Sequence, residues 1–72
     1  MKNYNNIKKL KSNRVYSLNE IMEICNVEVM PNYYKKISNW NSEKTAIGKR
    51  LLEDNRKAVK VEEDMKIMFV EL

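Results

Sequence analysis

The spacing of apolar residues changes near residue 58, and this change restricts the folds open to the chain. Between Leu18 and Cys25 apolar residues recur every three or four positions, as on one face of a helix. After residue 58 they alternate with polar residues, as in two β-strands joined by the acidic residues Glu62, Glu63 and Asp64. Because an isolated hairpin is marginally stable, its apolar face must pack on the helices. The pattern therefore predicts a small α+β domain.

Residues 16–26 carry the clearest helical signal. Ser17 is the predicted N-cap and Glu20 lies three positions later, so that each side chain can accept a hydrogen bond from the other residue's backbone N–H. Asn26 can adopt the left-handed conformation that often ends a helix. We expect a capping box at the start of this helix and a left-handed asparagine at its end.

A second helix of about ten residues is predicted to begin at Pro31, where the missing backbone N–H of proline costs nothing. Its apolar stripe consists of Tyr33, Tyr34, Ile37 and Trp40. Aromatic residues can stack on nucleic-acid bases, but at helical spacing they are more often part of a core. We therefore expect these side chains to be buried.

A third helix is predicted to begin at Ser42, a favourable N-cap, and to run to about Asn55. Ile47 and Leu51 share its inward face. Gly48 lies at the margin of that face, where glycine costs about 1 kcal/mol relative to alanine. Two interpretations stay open: the glycine allows close packing against the second helix, or it is a tolerated exposed residue.

The first 14 residues form a basic segment for which two states stay open, a short helix and a mobile tail. The apolar residues that can line a short helix are Tyr4, Ile7 and Leu10. Val15 and Tyr16 can add a short strand to the hairpin. The chain thus divides into a basic arm or short helix, residues 1–14, and one domain, residues 15–72.

Several absences restrict the chemistry of the chain. It has no histidine, the usual general base and metal ligand, and its one cysteine, Cys25, lies on the apolar face of the first helix. With one glycine it has no glycine-rich phosphate loop. No apolar run approaches the roughly 18 residues of a membrane span, and the N-terminus lacks a secretory signal. We expect a cytoplasmic protein without catalysis, metal site or cofactor.

The charged residues are unevenly distributed. Residues 1–16 hold five bases and no acid, residues 17–30 hold three acids and no base, and residues 31–57 hold seven bases and three acids. A net charge of +4 serves solubility in many small domains. A basic arm combined with a basic central block is also typical of a surface that binds phosphate. Nucleic acid is therefore the first partner to consider.

Three short helices followed by a terminal hairpin resemble a winged helix-turn-helix domain. In residues 42–72, the capped start, the step IGKRL and the two-strand tail are similar to winged-helix modules at the C-terminus of phage and viral primase-helicases. The segment YSLNEIMEICNV, residues 16–27, resembles the opening helix of MerR-type and excisionase-type DNA binders. The resemblance implies a small DNA-binding protein of a phage or mobile element, either a transcription regulator or an accessory of recombination or replication.

The resemblance also implies where double-stranded DNA is contacted, with the third helix in the major groove and the hairpin as the wing. The implied contacts on and after the third helix are Ser42, Lys44, Thr45, Lys49 and Arg56. The implied contacts of the arm, to the DNA backbone, are Lys8, Lys9, Lys11 and Arg14. Because one short helix buries little area, we expect a homodimer or a larger protein partner on the DNA.

Acidic residues leave an alternative function open. Glu62, Glu63 and Asp64 lie where a wing would approach DNA, and phosphate would repel them. Glu43 and Glu53 dilute the positive charge of the third helix. The alternative is a small phage-type inhibitor or adaptor that binds a host protein.

Overall fold

Helices pack on one face of a three-stranded sheet in the computed structural model, which describes residues 1–62 and 65–72. The helical elements are the 3₁₀ helices η1 (Tyr4–Lys9), η2 (Asn32–Lys35) and η3 (Ile37–Trp40) and the α-helices α1 (Leu18–Ile24) and α2 (Ala46–Glu53). The strands are β1 (Val15–Tyr16), β2 (Arg56–Glu62) and β3 (Lys66–Glu71). This arrangement confirms the predicted α+β class.

The C-terminal hairpin forms as predicted, and its second strand, β3, is the centre of the sheet with β1 and β2 antiparallel on either side. Tyr16 pairs with Ile67, which confirms the short strand expected before α1. The predicted acidic joint begins within β2, where Glu62 pairs with Lys66. The other two residues of that joint, Glu63 and Asp64, lie outside the described residues.

Helix α1 begins and ends close to the predicted residues. The Ser17 hydroxyl accepts a hydrogen bond from the Glu20 N–H at 3.2 Å, and the Glu20 carboxylate accepts one from the Ser17 N–H at 3.0 Å. This is the predicted capping box, and its hydrogen bonds hold the pKa of the Glu20 carboxyl below its usual value. At the other end Asn26 has a φ of 56°, in the left-handed region.

The predicted second helix is wrong, because the chain forms η2 and η3 with Lys36 extended between them. In a continuous α-helix the carbonyls of Tyr33 and Tyr34 would accept from backbone N–H groups four residues later. Here the side-chain amide of Asn39 donates to the Tyr33 carbonyl at 2.6 Å. The Trp40 indole N–H donates to the Tyr34 carbonyl at 2.8 Å. Side chains therefore take the place of helical donors, which lets the indole be buried with its N–H satisfied.

Helix α2 is capped by Thr45 rather than by the predicted Ser42. The Thr45 hydroxyl accepts from the Gly48 N–H at 3.0 Å and donates to the Asn39 carbonyl at 2.7 Å. The same hydroxyl therefore caps α2 and links this helix to η3. The Ser42 hydroxyl accepts from the Lys44 N–H at 3.1 Å within the preceding turn. The local cap signal at Ser42 thus belongs to a turn, and the helix starts three residues later.

Every helix and strand contributes to one core. Its buried apolar residues are Ile7, Leu10, Tyr16, Ile21, Cys25, Val27, Tyr34, Trp40, Ile47, Leu51, Ala58, Ile67 and Phe69. The Trp40 ring meets Tyr34 edge-on at 5.4 Å between centroids and lies 6.4 Å from Phe69. Since Ile7 in η1 is fully buried, the arm adopts the short helix of the two states left open by the sequence.

Candidate nucleic-acid interface

Helix α2 exposes one lysine-bearing face to solvent. Ile47, Gly48 and Leu51 are buried on its inner side. Lys49 and Glu53 are exposed on the opposite side, as the helical spacing of the buried residues requires. Lys49, which is expected to face a DNA groove, is therefore exposed to solvent.

The arm packs directly against α2. Lys8 Nζ lies 3.2 Å from Glu53 Oε2, and the Arg50 guanidinium donates to the Asn5 side-chain oxygen. Lys49 and Glu53 are one turn apart on α2, so Lys8 and Lys49 both lie close to Glu53. The structure thus brings the basic arm and the third predicted helix together on one side of the molecule.

Apart from Arg56, the remaining predicted contacts divide into exposed cations and side chains that serve the turn and cap of α2. The exposed cations are Lys9, Lys11, Arg14 and Lys44. The Arg14 guanidinium lies 5.0 Å from the centroid of the Tyr16 ring in a cation–π contact. The Arg14 side chain stays exposed to solvent. The hydroxyls of Ser42 and Thr45 are engaged in the turn and cap of α2. These two residues thus position α2, and the exposed lysines are Lys49 within the helix and Lys44 just before it.

The structure places Arg56 inside the protein rather than at the predicted interface. It is the first residue of β2 and is 7% exposed. Its guanidinium donates to the carbonyls of Leu10 at 2.8 Å and Ile7 at 3.2 Å. It also lies 3.4 Å from the Asp54 carboxylate, which balances the buried charge. Arg56 therefore fastens the arm to the sheet and is not available to a phosphate.

Two exposed lysines of β2, Lys57 and Lys60, are not among the contacts predicted from the sequence. Lys57 precedes the buried Ala58, so by strand alternation its side chain lies on the sheet face opposite the core. The apolar alternation alone would have placed it wrongly, because Lys57 shares its strand face with Val59. At the hairpin end Lys66 Nζ lies 3.6 Å from the Glu62 carboxylate, which partly balances the acidic charge expected there.

Cys25 is fully buried at the end of α1, and burial raises the pKa of its thiol to about 11 from an ordinary value of 9.0. A thiol of this kind is protonated and inert at neutral pH. This agrees with the core position expected from the sequence. In residues 1–62 and 65–72, no cluster of three or more His, Cys, Asp or Glu side chains is placed to hold a metal ion.

The buried thiol predicts a stability change at alkaline pH. The unfolded thiol ionises near pH 9 and the folded one near 11, so the free energy of unfolding should fall by roughly 2 kcal/mol as the pH rises through this interval. Urea titrations at several pH values measure this fall. Because burial also raises the pKa of Tyr4 and Tyr34, Cys25→Ala is the control. A curve with the same slope in Cys25→Ala would assign the loss to other groups.

Comparisons with protein-family models, curated proteins and solved structures gave no match to this chain. No helix in the described part of the chain is long and apolar enough to cross a membrane. Conclusions about function therefore rest on the residues and geometry above.

Proposed function

We propose that the chain is a small, non-catalytic DNA-binding protein of the winged-helix type, with α2 as recognition helix and the β2–β3 hairpin as wing. The observation that carries the proposal is the contact between arm and helix, which groups Lys8 and Lys49 around Glu53 on an exposed side. The order of elements supports it, because β1 precedes α1, the hairpin follows α2, and β3 is the central strand.

In this arrangement α2 enters the major groove while the arm lies along flanking phosphates. Lys44 and Lys49 are the side chains nearest the groove. Helix α2 has eight residues, so it is about 12 Å long and reaches few base pairs. A second copy or a larger protein on the same DNA would supply the rest of the specificity. This mode suits a transcription regulator, or an accessory of recombination or replication, in a phage or mobile element.

Salt dependence and charge reversal test the proposal. With about four phosphate contacts, affinity for duplex DNA should fall on the order of 100-fold between about 50 and 200 mM salt. Lys49→Glu should weaken binding about tenfold and reduce the log–log salt slope by about 1. Fluorescence anisotropy with a labelled duplex measures both quantities.

Lys57→Glu is the matched control. It makes the same charge change on the face of the sheet that points away from the core. We expect it to affect duplex affinity much less than Lys49→Glu. Equal affinity of the unmodified protein at the two salt concentrations would exclude phosphate contact, and with it the proposal.

The outer face of the sheet favours the alternative of a protein partner. Val15, Met68 and Val59 pair in one row across the three strands, on the side opposite the buried Tyr16 and Ile67. Val15 is 42% exposed, although residues on a solvated sheet face are usually polar. Under this alternative, Met68→Lys removes a partner captured from nuclease-treated lysate and Lys49→Glu does not. The DNA-binding proposal predicts that neither variant changes such a capture and that Lys49→Glu weakens duplex binding.

A further inference from the structure

Tyr33 in η2 presents an aromatic ring to solvent although its aromatic neighbours are buried. Tyr33 is 50% exposed, whereas Tyr34 is 1% and Trp40 0% exposed. The predicted aromatic stripe therefore divides, with two rings in the core and one outside it. Half of the Tyr33 side chain is therefore open to a ligand.

The exposed Tyr33 ring packs against the buried Tyr34 ring. Its centroid lies 4.6 Å from that of Tyr34, and the Asn39 amide donates to the Tyr33 carbonyl at 2.6 Å. The Tyr34 hydroxyl accepts from the Ile47 N–H at 3.2 Å, in the first turn of α2. Tyr33 thus packs on a buried ring that is hydrogen-bonded to the proposed recognition helix.

The chain segment around Tyr33 carries lysines and no acid. Residues 30–42 contain no acid, and Lys35 and Lys36 are exposed within three positions of Tyr33. The Tyr34 ring also packs against Tyr4, at 6.1 Å, and Lys2 Nζ lies 5.7 Å from the Tyr4 centroid. An exposed ring with two exposed lysines in the same short segment suits a ligand that has both an aromatic face and a negative backbone.

We infer that Tyr33 is a stacking platform for an unpaired nucleobase, with Lys35 and Lys36 on the adjacent phosphates. The inference rests on the proposed DNA binding and extends it to DNA with a single-stranded segment beside the duplex. Stacking of a base on a protein aromatic ring commonly changes affinity by about tenfold or more and tolerates any base. The platform would therefore recognise strand opening rather than sequence.

Two labelled DNAs with the same duplex test this inference, one with a single-stranded thymidine tail and one whose tail is abasic. Both tails carry the same phosphates, so only the first offers bases. The unmodified protein should bind the thymidine tail about tenfold more tightly than the abasic tail. Tyr33→Ala should abolish this difference and Tyr33→Phe should keep it. Lys35→Gln should weaken both complexes equally. Trp40 fluorescence confirms that the variants are folded, because that indole is buried in the core.

Equal affinity of the unmodified protein for the two tails would overturn the inference, and so would a thymidine preference that persists in Tyr33→Ala. Either result leaves the salt-dependent binding of the paired duplex intact, and with it the proposed function. An absence of binding to all of these DNAs would overturn both. Capture of a protein that depends on Tyr33, without a preference between the tails, would reassign the ring to a protein contact.

Discussion

Gly48→Ala is expected to lower the free energy of unfolding by about 3 kcal/mol or more, although alanine is the better helix former by about 1 kcal/mol. A Cβ at Gly48 would overlap the carbonyl oxygen of Ser42 and lie 2.8 Å from its carbonyl carbon. The added atom would also lie 2.7 Å from Thr45 Oγ1. The obstacle is thus backbone, and it is held in place because the Thr45 N–H donates to that carbonyl.

Urea unfolding followed by Trp40 fluorescence measures this loss. Ala46→Gly is the matched control, since it exchanges the same two residue types in the same helix at a partly exposed position. Its expected cost is about 1 kcal/mol, from helix propensity alone. A Gly48→Ala protein as stable as the unmodified one would show that the turn at Ser42 can move away from α2.

Features with local causes could be predicted from the sequence. The capping box of α1 lies within four residues, and the hairpin follows from alternation along two neighbouring strands. The exposed position of Lys49 follows from the spacing of the buried residues in α2. Close packing at Gly48 was one of the two interpretations left open, but the structure shows it against the turn at Ser42 and not against the second helix.

Features that depend on distant partners could not be predicted. Asn41 donates to the Ala58 carbonyl at 2.9 Å and accepts from its N–H at 2.7 Å, so it closes part of the open edge of β2. The break between η2 and η3 depends likewise on side chains that reach back six residues. Arg56 follows α2 in a basic stretch and resembles any surface cation, because its acceptors lie 46 and 49 positions earlier. No local pattern indicates such contacts, so its assignment to the interface needed correction.

Arg56→Met is expected to lower the free energy of unfolding by about 3 kcal/mol. Methionine retains much of the apolar stem but removes the donor to the carbonyls of Leu10 and Ile7 and leaves Asp54 without its ion pair. Each buried polar group that loses its partner costs about 1–3 kcal/mol. Urea unfolding measures the loss. Lys57→Ala, at the next and exposed position of β2, is the control and should change stability by less than about 0.5 kcal/mol.

Arg56→Lys separates the structural contribution of Arg56 from a contact with DNA. A lysine keeps the positive charge but lacks the planar fork that reaches two carbonyls at once, so stability should fall by less than in Arg56→Met. Amide exchange should accelerate at Leu10 and Asn13, whose N–H groups bond to Ile7 and Phe69. A measured rate at these amides equal to that of the unmodified protein would show that Arg56 does not hold the arm.

The DNA affinity of Arg56→Lys then tests how the arm contributes. A direct phosphate contact would survive this substitution, because the charge is kept. Since Arg56 is buried and holds the arm, we expect affinity to fall in parallel with the exchange protection of the arm, because Lys8, Lys9 and Lys11 lose their fixed position. Unchanged affinity in a protein with a loosened arm would show that the arm cations do not contact DNA, and the interface would then reduce to α2 alone.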